Sequence, residues 1–343
     1  MDFDVVVAAL PAFASCPPDC FIVKQFLSIL MIITKPPPDP LVDVRHRLCT
    51  GEPGVWQGRD IFCMFSDHSY GFYEITGESL ETFLDLVQKI TNAMGRKMTG
   101  HNLSPKNRTL LFMIWLRCYP SYNFLSQLFD VSTTTIHEEI DQLMPAFHAV
   151  ANSFITWPSV DEWRDMIHIW PKLPNAVGAI DGTSVEIYCP RTEPQRPYYS
   201  GHRKYHALHA QIIIDNSGLI RHLESGFLGH QNDAQQYSLM SYKIGRDLPF
   251  PLDCFILGDK IYPNRYPIIT PFSQHQIVTR NHQEQRKRRK FNKIVSSYRT
   301  LVERTICKLK KYKFLSSVWR HPRTKLAYVV DIVAGLVCRQ YHL

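Results

Sequence analysis

Apolar residues recur at helical spacing through the first half of the chain and at strand spacing through much of the second. Leu80, Phe83, Leu84, Leu86, Val87 and Ile90 fall on one face of a helix, with Ser79 placed to cap its N-terminus. Gly100 and Asn102 break the pattern. Ser104-Pro105 then opens a second helix, a cap followed by proline in the first turn, with Leu110, Leu111, Ile114 and Leu116 as its apolar face. A short apolar segment, Tyr122–Phe129, a turn at Asp130-Val131-Ser132 and a stripe of Ile136, Ile140, Leu143, Met144 and Phe147 predict a short helix, a tight turn and a longer amphipathic helix. Pro145 is expected to kink or end that last helix. The three together predict a helix-turn-helix unit.

Strand signals begin after Trp170-Pro171. Residues 176–180 and 184–188 form one apolar stretch interrupted by Asp181-Gly182-Thr183. Residues 205–214 and 219–228 read as two further strands around the turn Asn216-Ser217-Gly218, which makes three sequential antiparallel strands. Residues 233–240 read as a helix, 254–257 as a buried strand ending at Gly258-Asp259, and 276–279 as another strand. A long helix over 291–312 buries Ile294, Tyr298, Leu301, Val302, Ile306, Leu309 and Tyr312. Glu303 lies beside that stripe, on the side that also carries Arg299. An apolar helix over 326–337 closes the core. The expected organisation is an N-terminal extension over 1–70, with a proline-rich linker at Pro36-Pro37-Pro38 and Pro40, a helical domain over 71–150 and an α/β domain over 175–338.

Composition narrows the partners. The chain has 343 residues and a formal net charge of +8, which favours an acidic partner such as nucleic acid but is weak evidence alone. Nine cysteines, an odd count with no Cys-x-x-Cys pair, read as reduced thiols; Cys16 and Cys20 have no downstream pair with which to build a zinc site. The apolar runs at 26–33 and 326–338 are too short to span a bilayer, the second being broken by Asp331, and the acidic start Met1-Asp2-Phe3-Asp4 is unlike a signal peptide. A soluble protein with no membrane partner is expected.

The chemistry resides in three acids. Asp181 follows the first apolar strand, Asp259 follows a later one, and Glu303 sits on the basic helix in a Val-Glu-Arg setting. Singly, they read as a turn residue, a strand-end cap and a solvated helix residue. In that order they are what a ribonuclease-H-like nuclease core requires, in which convergent carboxylates hold magnesium or manganese.

Four blocks give a more specific reading. Ile180-Asp181-Gly182-Thr183, the strand from Arg203 through Tyr205, His206 and His209 to Gln211, Leu257-Gly258-Asp259-Lys260-Ile261-Tyr262-Pro263, and the helix around Tyr298-Arg299-Thr300-Leu301-Val302-Glu303 together resemble PIF/Harbinger transposases and the nucleases domesticated from them. The resemblance runs in order over residues 73–338. It implies an α/β fold, with a ribonuclease-H-like core of mixed sheet flanked by helices and an N-terminal all-α helix-turn-helix region. It also implies a divalent cation, Mg2+ or Mn2+, and hydrolysis of DNA phosphodiester bonds by Asp181, Asp259 and Glu303. Gly229-His230-Gln231-Asn232-Asp233-Ala234 resembles a block whose aspartate is a further metal ligand, so Asp233 is a fourth candidate, with a helix N-cap as the alternative. Family members often act with a Myb-like DNA-binding partner.

Departures from the family lie close to the acids. Lys260 and Ile261 replace a small Ser-Gly pair, His209 replaces an asparagine, and the chain reads Ala234 and Val337-Cys338-Arg339 where the family differs. A catalytically silent DNA-binding or scaffold protein is therefore the alternative. DNA contacts are expected from Ser132, Thr133, Thr134 and His137 at the helix-turn-helix, where Glu138, Glu139 and Asp141 would repel phosphates and a purely structural role stays open. The run Arg286-Lys287-Arg288-Arg289-Lys290 reads as a phosphate-contacting loop or a nuclear localisation signal, extended by Lys308, Lys310, Lys311 and Lys313. His206 and His209 point to opposite faces of their strand and do not share a metal. Nuclear residence is expected, with the cytoplasm as a second location; the oligomeric state is left open.

Overall fold

A computed structural model describes residues 54–56, 59–99 and 102–340. The proline-rich linker, Cys16, Cys20, the apolar run at 26–33 and the break at Gly100 lie outside them. The chain divides into two compact units, at Val150/Ala151.

In the first unit, β1 (Val55–Trp56) and β2 (Arg59–Asp60) form an antiparallel ribbon. Helices α1 (Ile61–Ser66), α2 (Ser69–Thr76), α3 (Leu80–Met94), α4 (Arg96–Thr99), α5 (Pro105–Cys118), α6 (Tyr122–Phe129) and α7 (Thr133–Asn152) follow. Ser79, Ser104 and Ser121 each accept the backbone N–H three residues on, as N-caps do. The sequence placed α3 and α5–α7 but not α1 or α2. Helix α5 is buried on all sides: Leu110 through Leu116 are all inside, so it is the hub of this unit rather than a one-faced helix.

Two expectations for α7 change. The helix passes Pro145 and ends at Asn152, because the apolar stripe continues on both sides of the proline through Leu143, Phe147 and Ala151. That burial offsets the roughly 3 kcal/mol a proline costs inside a helix. Glu139 does not face a phosphate. It is buried against the Arg108 guanidinium, which also donates to the Lys97 and Met98 carbonyls.

The second unit holds a mixed sheet. After α8 (Val160–Asp165) come β3 (Ala176–Glu186), β4 (Tyr199–Ser200), β5 (Tyr205–Asp215) and β6 (Ile220–Leu228). Helix α9 (Asp233–Leu239), β7 (Phe255–Leu257), β8 (Ile268–Ile269), α10 (Gln274–Val278), α11 (His282–Leu309) and α12 (Leu326–Arg339) complete it. The strand order is β6-β5-β3-β7-β8, with β4 also on β5. The pairs β3–β5 and β5–β6 are antiparallel, whereas β3–β7 and β7–β8 are parallel. On one face Ile180 and Ile213 pack with Trp163, Phe227, Phe250 and Tyr262. Elsewhere α11 lies on β3 and β5, and α12 on β6.

Two boundaries differ from expectation. Residues 276–279 are not a strand but lie in and just after α10, since Ser273 and Gln276 form a capping box. Helix α11 starts at His282, capped by Asn281, so the basic run is helical and not a loop. No helix among the described residues is long and apolar enough to cross a membrane.

Gly335 in α12 has no room for a side chain: a Cβ there would stand 2.1 Å from the Ala151 carbonyl oxygen. Gly335→Ala is expected to destabilise the fold by about 1–3 kcal/mol through overpacking. Urea unfolding measures it, and an unchanged midpoint would contradict this packing.

Candidate functional site

The site lies where β7 parts from β3. The two strands pair in parallel as far as Ala179 and Leu257, after which the chain leaves the sheet through Gly258 to Asp259. Asp181, two residues beyond Ala179, is in mid-strand, opposite Ile212 of β5. Asp181-Gly182 is therefore not a turn. With β7 gone, the Gly182 N–H faces an open edge, and the Asp181 carboxylate bends over that edge to accept it at 2.9 Å. Asp259 accepts the Lys260 N–H at 2.6 Å, which fixes its side chain at the strand end.

Helix α11 brings a cation to both acids. The Arg299 Nη2 lies 3.2 Å from Asp181 Oδ2, and its Nη1 lies 3.9 Å from Asp259 Oδ1. The turn carrying Arg299 is anchored next door. Trp170 stacks on Tyr298 with ring centroids 4.7 Å apart, and the Lys172 N–H donates to the Tyr298 hydroxyl. Glu303, one turn further on, is exposed.

Burial raises the Asp181 carboxyl to about 6, and the negative charges of Asp233 and Glu303 add to that, against the opposing pull of Arg299 and the Gly182 N–H. Asp233 is also raised, chiefly by burial and further by Asp259, while His209, Gln211 and Arg203 oppose the rise. Asp181 thus feels the charges of Asp233 and Glu303, and Asp233 feels that of Asp259.

Asp233 is the first residue of α9, and its carboxylate does not cap the helix. Asn232 does so, in a capping box with Gln235. Asp233 instead rests over Gly182, where a Cβ would come within 2.3 Å of its Oδ1, so a side chain there would push the Asp233 carboxylate aside. Gln211 Nε2 donates to Asp233 Oδ1 at 3.3 Å and to Gln236 Oε1 at 2.8 Å, and the Tyr262 hydroxyl donates to Gln211 Oε1 at 2.6 Å. Sequence reasoning did not assign Gln211, Gln236, Tyr262 or Arg299 to the site. One signal was available: Gln211 is a lone amide inside the apolar run of β5, and a buried amide needs partners.

Lys260 and Ile261 are exposed, so the replaced Ser-Gly pair lies at the rim, while the adjoining Tyr262 is buried. His209 contacts the Gly229 carbonyl at 3.1 Å, and burial lowers its pKa. In the first unit Thr133, Thr134 and His137 are exposed at the start of α7. The Ser132 hydroxyl is taken by the Thr135 N–H, and His137 lies 3.5 Å from Asp141. Along α11, Arg286, Lys287 and Arg289 are exposed, whereas Arg288 packs over Phe272 and donates to the Gln276 carbonyl at 2.7 Å.

The fold implies a divalent cation. The donors present are carboxylate oxygens, which suit magnesium or manganese, and they already draw in one cationic group of the protein. Among the described residues no three His, Cys, Asp or Glu side chains stand close enough together to hold a metal ion. Asp181 and Asp259 have Arg299 between them. The chemistry of the donor set fits the cation, and the arginine shares the place.

An antiparallel triplet followed by two parallel strands, helices on the sheet, and an acid at the parting of the central strands define a ribonuclease-H-like fold with a helix-turn-helix unit before it. Residues 180–337 match the family described as DDE superfamily endonuclease, and residues 101–153 match the helix-turn-helix of DDE superfamily endonuclease. Over these two segments the chain carries a DDE superfamily endonuclease domain and its helix-turn-helix. It is similar to "Protein ALP1-like" of Arabidopsis thaliana, 22% identical over 249 residues, covering 68% of this chain and 60% of that protein. It is also similar to "Putative nuclease HARBI1" of Mus musculus, 22% identical over 211 residues, covering 60% and 57%. The chain thus spans about three fifths of the length of these curated relatives. No solved structure matches it at a significant level.

The hydrogen bond from Tyr262 can be tested directly. Tyr262→Phe leaves a buried acceptor on Gln211 without its donor and is expected to lower stability by about 1–3 kcal/mol. Chemical denaturation measures this, and a neutral substitution would show that the Tyr262–Gln211–Asp233 chain does not hold the site together.

Proposed function

We propose that this chain is a divalent-metal-dependent endonuclease that hydrolyses DNA phosphodiester bonds. One observation carries the reading: Asp181 and Asp259, far apart in sequence, meet the same guanidinium where β7 leaves β3. Asp181, Asp259 and Glu303 are the catalytic carboxylates. They hold Mg2+ or Mn2+, with Asp233 as a fourth ligand. When bound, the metal supplies an activated water and stabilisation of the leaving oxygen. The protein's own residues fix the ligands: the Gly182 N–H orients Asp181, the Lys260 N–H orients Asp259, and Gln211 orients Asp233.

DNA is the partner in this reading. Thr133, Thr134 and His137 of the helix-turn-helix reach base edges and phosphates, and the exposed Arg286, Lys287 and Arg289 of α11 meet the backbone, with Arg288 supporting them from its contact with Phe272. The working division is an extension over 1–70, a helix-turn-helix domain over 71–150 and the endonuclease domain over 175–338. Nuclear residence and a separate Myb-like DNA-binding partner belong to the same proposal. The name of the mouse relative, which calls it a nuclease, supports the reaction class.

The position of Arg299 between the acids favours a second reading, a catalytically silent DNA-binding or scaffold protein. Cleavage of end-labelled duplex DNA in Mg2+ or Mn2+ separates the two. Asp259→Asn is expected to lower the cleavage rate by about a hundredfold or more, the scale on which losing one transition-state-stabilising group is felt. Equal activity of wild type and variant would remove the nuclease assignment.

The basic face of α11 carries its own expectation. Replacing Arg286, Lys287 and Arg289 together by glutamine should weaken DNA binding to a similar degree for every sequence. It should also reduce the salt slope of log affinity by roughly one for each phosphate no longer neutralised. Fluorescence anisotropy across a salt series reads this, and an unchanged slope would show that this part of α11 does not touch DNA.

A further inference from the structure

The acidic cluster contains a cation of its own. Arg299 reaches from α11 to Asp181 at 3.2 Å and to Asp259 at 3.9 Å, with its side chain only 12% exposed. Its Nε is buried with no hydrogen-bond partner. An arginine on a helix has an easier partner available, an acid four residues on. Glu303 occupies that position, yet no ion pair joins it to Arg299 among the described residues, and Glu303 stays exposed. The guanidinium therefore turns inward at the cost of an unsatisfied donor. What holds it there is the combined negative charge of the two aspartates it reaches.

Three of the four carboxylate oxygens are already engaged. Asp181 Oδ1 accepts the Gly182 N–H and its Oδ2 faces Arg299, while Asp259 Oδ1 accepts the Lys260 N–H and faces the other end of the same guanidinium. A divalent cation needs direct oxygen ligation, and a fixed positive charge a few ångströms away opposes it.

We propose that Arg299 is the resident counter-ion of the Asp181–Asp259 pair, and that a divalent cation binds this pair only by displacing the guanidinium. Arg299 then sets the metal concentration at which the site loads. This rests on the metal-dependent reading above. Arg299 acts here as a positioning residue: it keeps two like charges together in the metal-free protein and gives way when a stronger cation arrives. By linkage, whatever stabilisation it gives the metal-free form appears as weaker metal affinity.

The test is a titration of the full chain, stripped of metal by chelation, with Mg2+ and with Mn2+, followed by calorimetry and by thermal unfolding. Arg299→Gln should unfold at a lower temperature than wild type without metal. It should also bind Mn2+ about tenfold more tightly and gain more thermal stability from it. Arg299→Lys keeps the charge and should stay close to wild type in both measurements. Unchanged or weaker metal affinity in Arg299→Gln overturns the displacement while leaving the metal-dependent reading intact. Absence of Mg2+ and Mn2+ binding in wild type and in Arg299→Gln alike overturns both. If Arg299→Gln does not fold without metal, the double variant Asp181→Asn/Arg299→Gln removes the pair together. Recovery of folding supports the counter-ion role, and failure to recover overturns it.

Discussion

A carboxylate in the middle of a central strand must be given a counter-charge, and much of the second unit is arranged around that need. Asp181 sits in β3 paired with β5 on one side, largely out of water, and burial pushes its carboxyl up to about 6. Three features keep the position tolerable. β7 ends early and opens an edge over which the side chain can bend. The Gly182 N–H on that edge donates to it. Helix α11 packs on β3 and delivers Arg299. Shift any of these and the acid is a buried charge with nothing opposite it, which is costly.

The same constraint recurs in the first unit with a different outcome. Arg108 and Glu139 are buried together at the junction of α5 and α7, and Arg108 also satisfies two carbonyls. That pair is closed. It joins two helices, leaves the exposed start of α7 free of one expected negative charge and has no opening to solvent. The Arg299 cluster is open by comparison: Asp259 is partly exposed. A buried ion pair sealed from solvent reads as structure, and one beside an open strand edge reads as chemistry.

The sequence made the sheet legible because its strands are long and its turn is explicit. The hairpin at Asn216-Ser217-Gly218 is tied by Asp215, whose Oδ1 accepts three backbone N–H groups, and the apolar stretches of β3, β5 and β6 stand clear on either side. The acids were legible for the same reason, as polar interruptions in apolar strands. Short elements were not: β8 has two residues, and α10 has five whose apolar Ile277-Val278 mimics a strand. Only the Ser273–Gln276 cap separates the two readings. Arg299 was visible as a neighbour of Glu303 on the helix. That it turns to Asp181 and Asp259 depends on the packing of α11 against β3, which no local pattern encodes.

The changes around Asp259 take on a different weight once burial is known. Lys260 and Ile261, which replace small residues, project from the exposed rim, so their bulk is accommodated by solvent. Tyr262, which keeps the family's identity, points inward and holds Gln211, and through it Asp233. The block therefore divides by direction: its outward positions have drifted, and its inward position still supports the fourth acid. Substitution at the rim alters what the site presents to solvent. The interior determines how Asp181 and Asp233 are held beside the Arg299 guanidinium, and there Gly182, Gln211 and Tyr262 are in place.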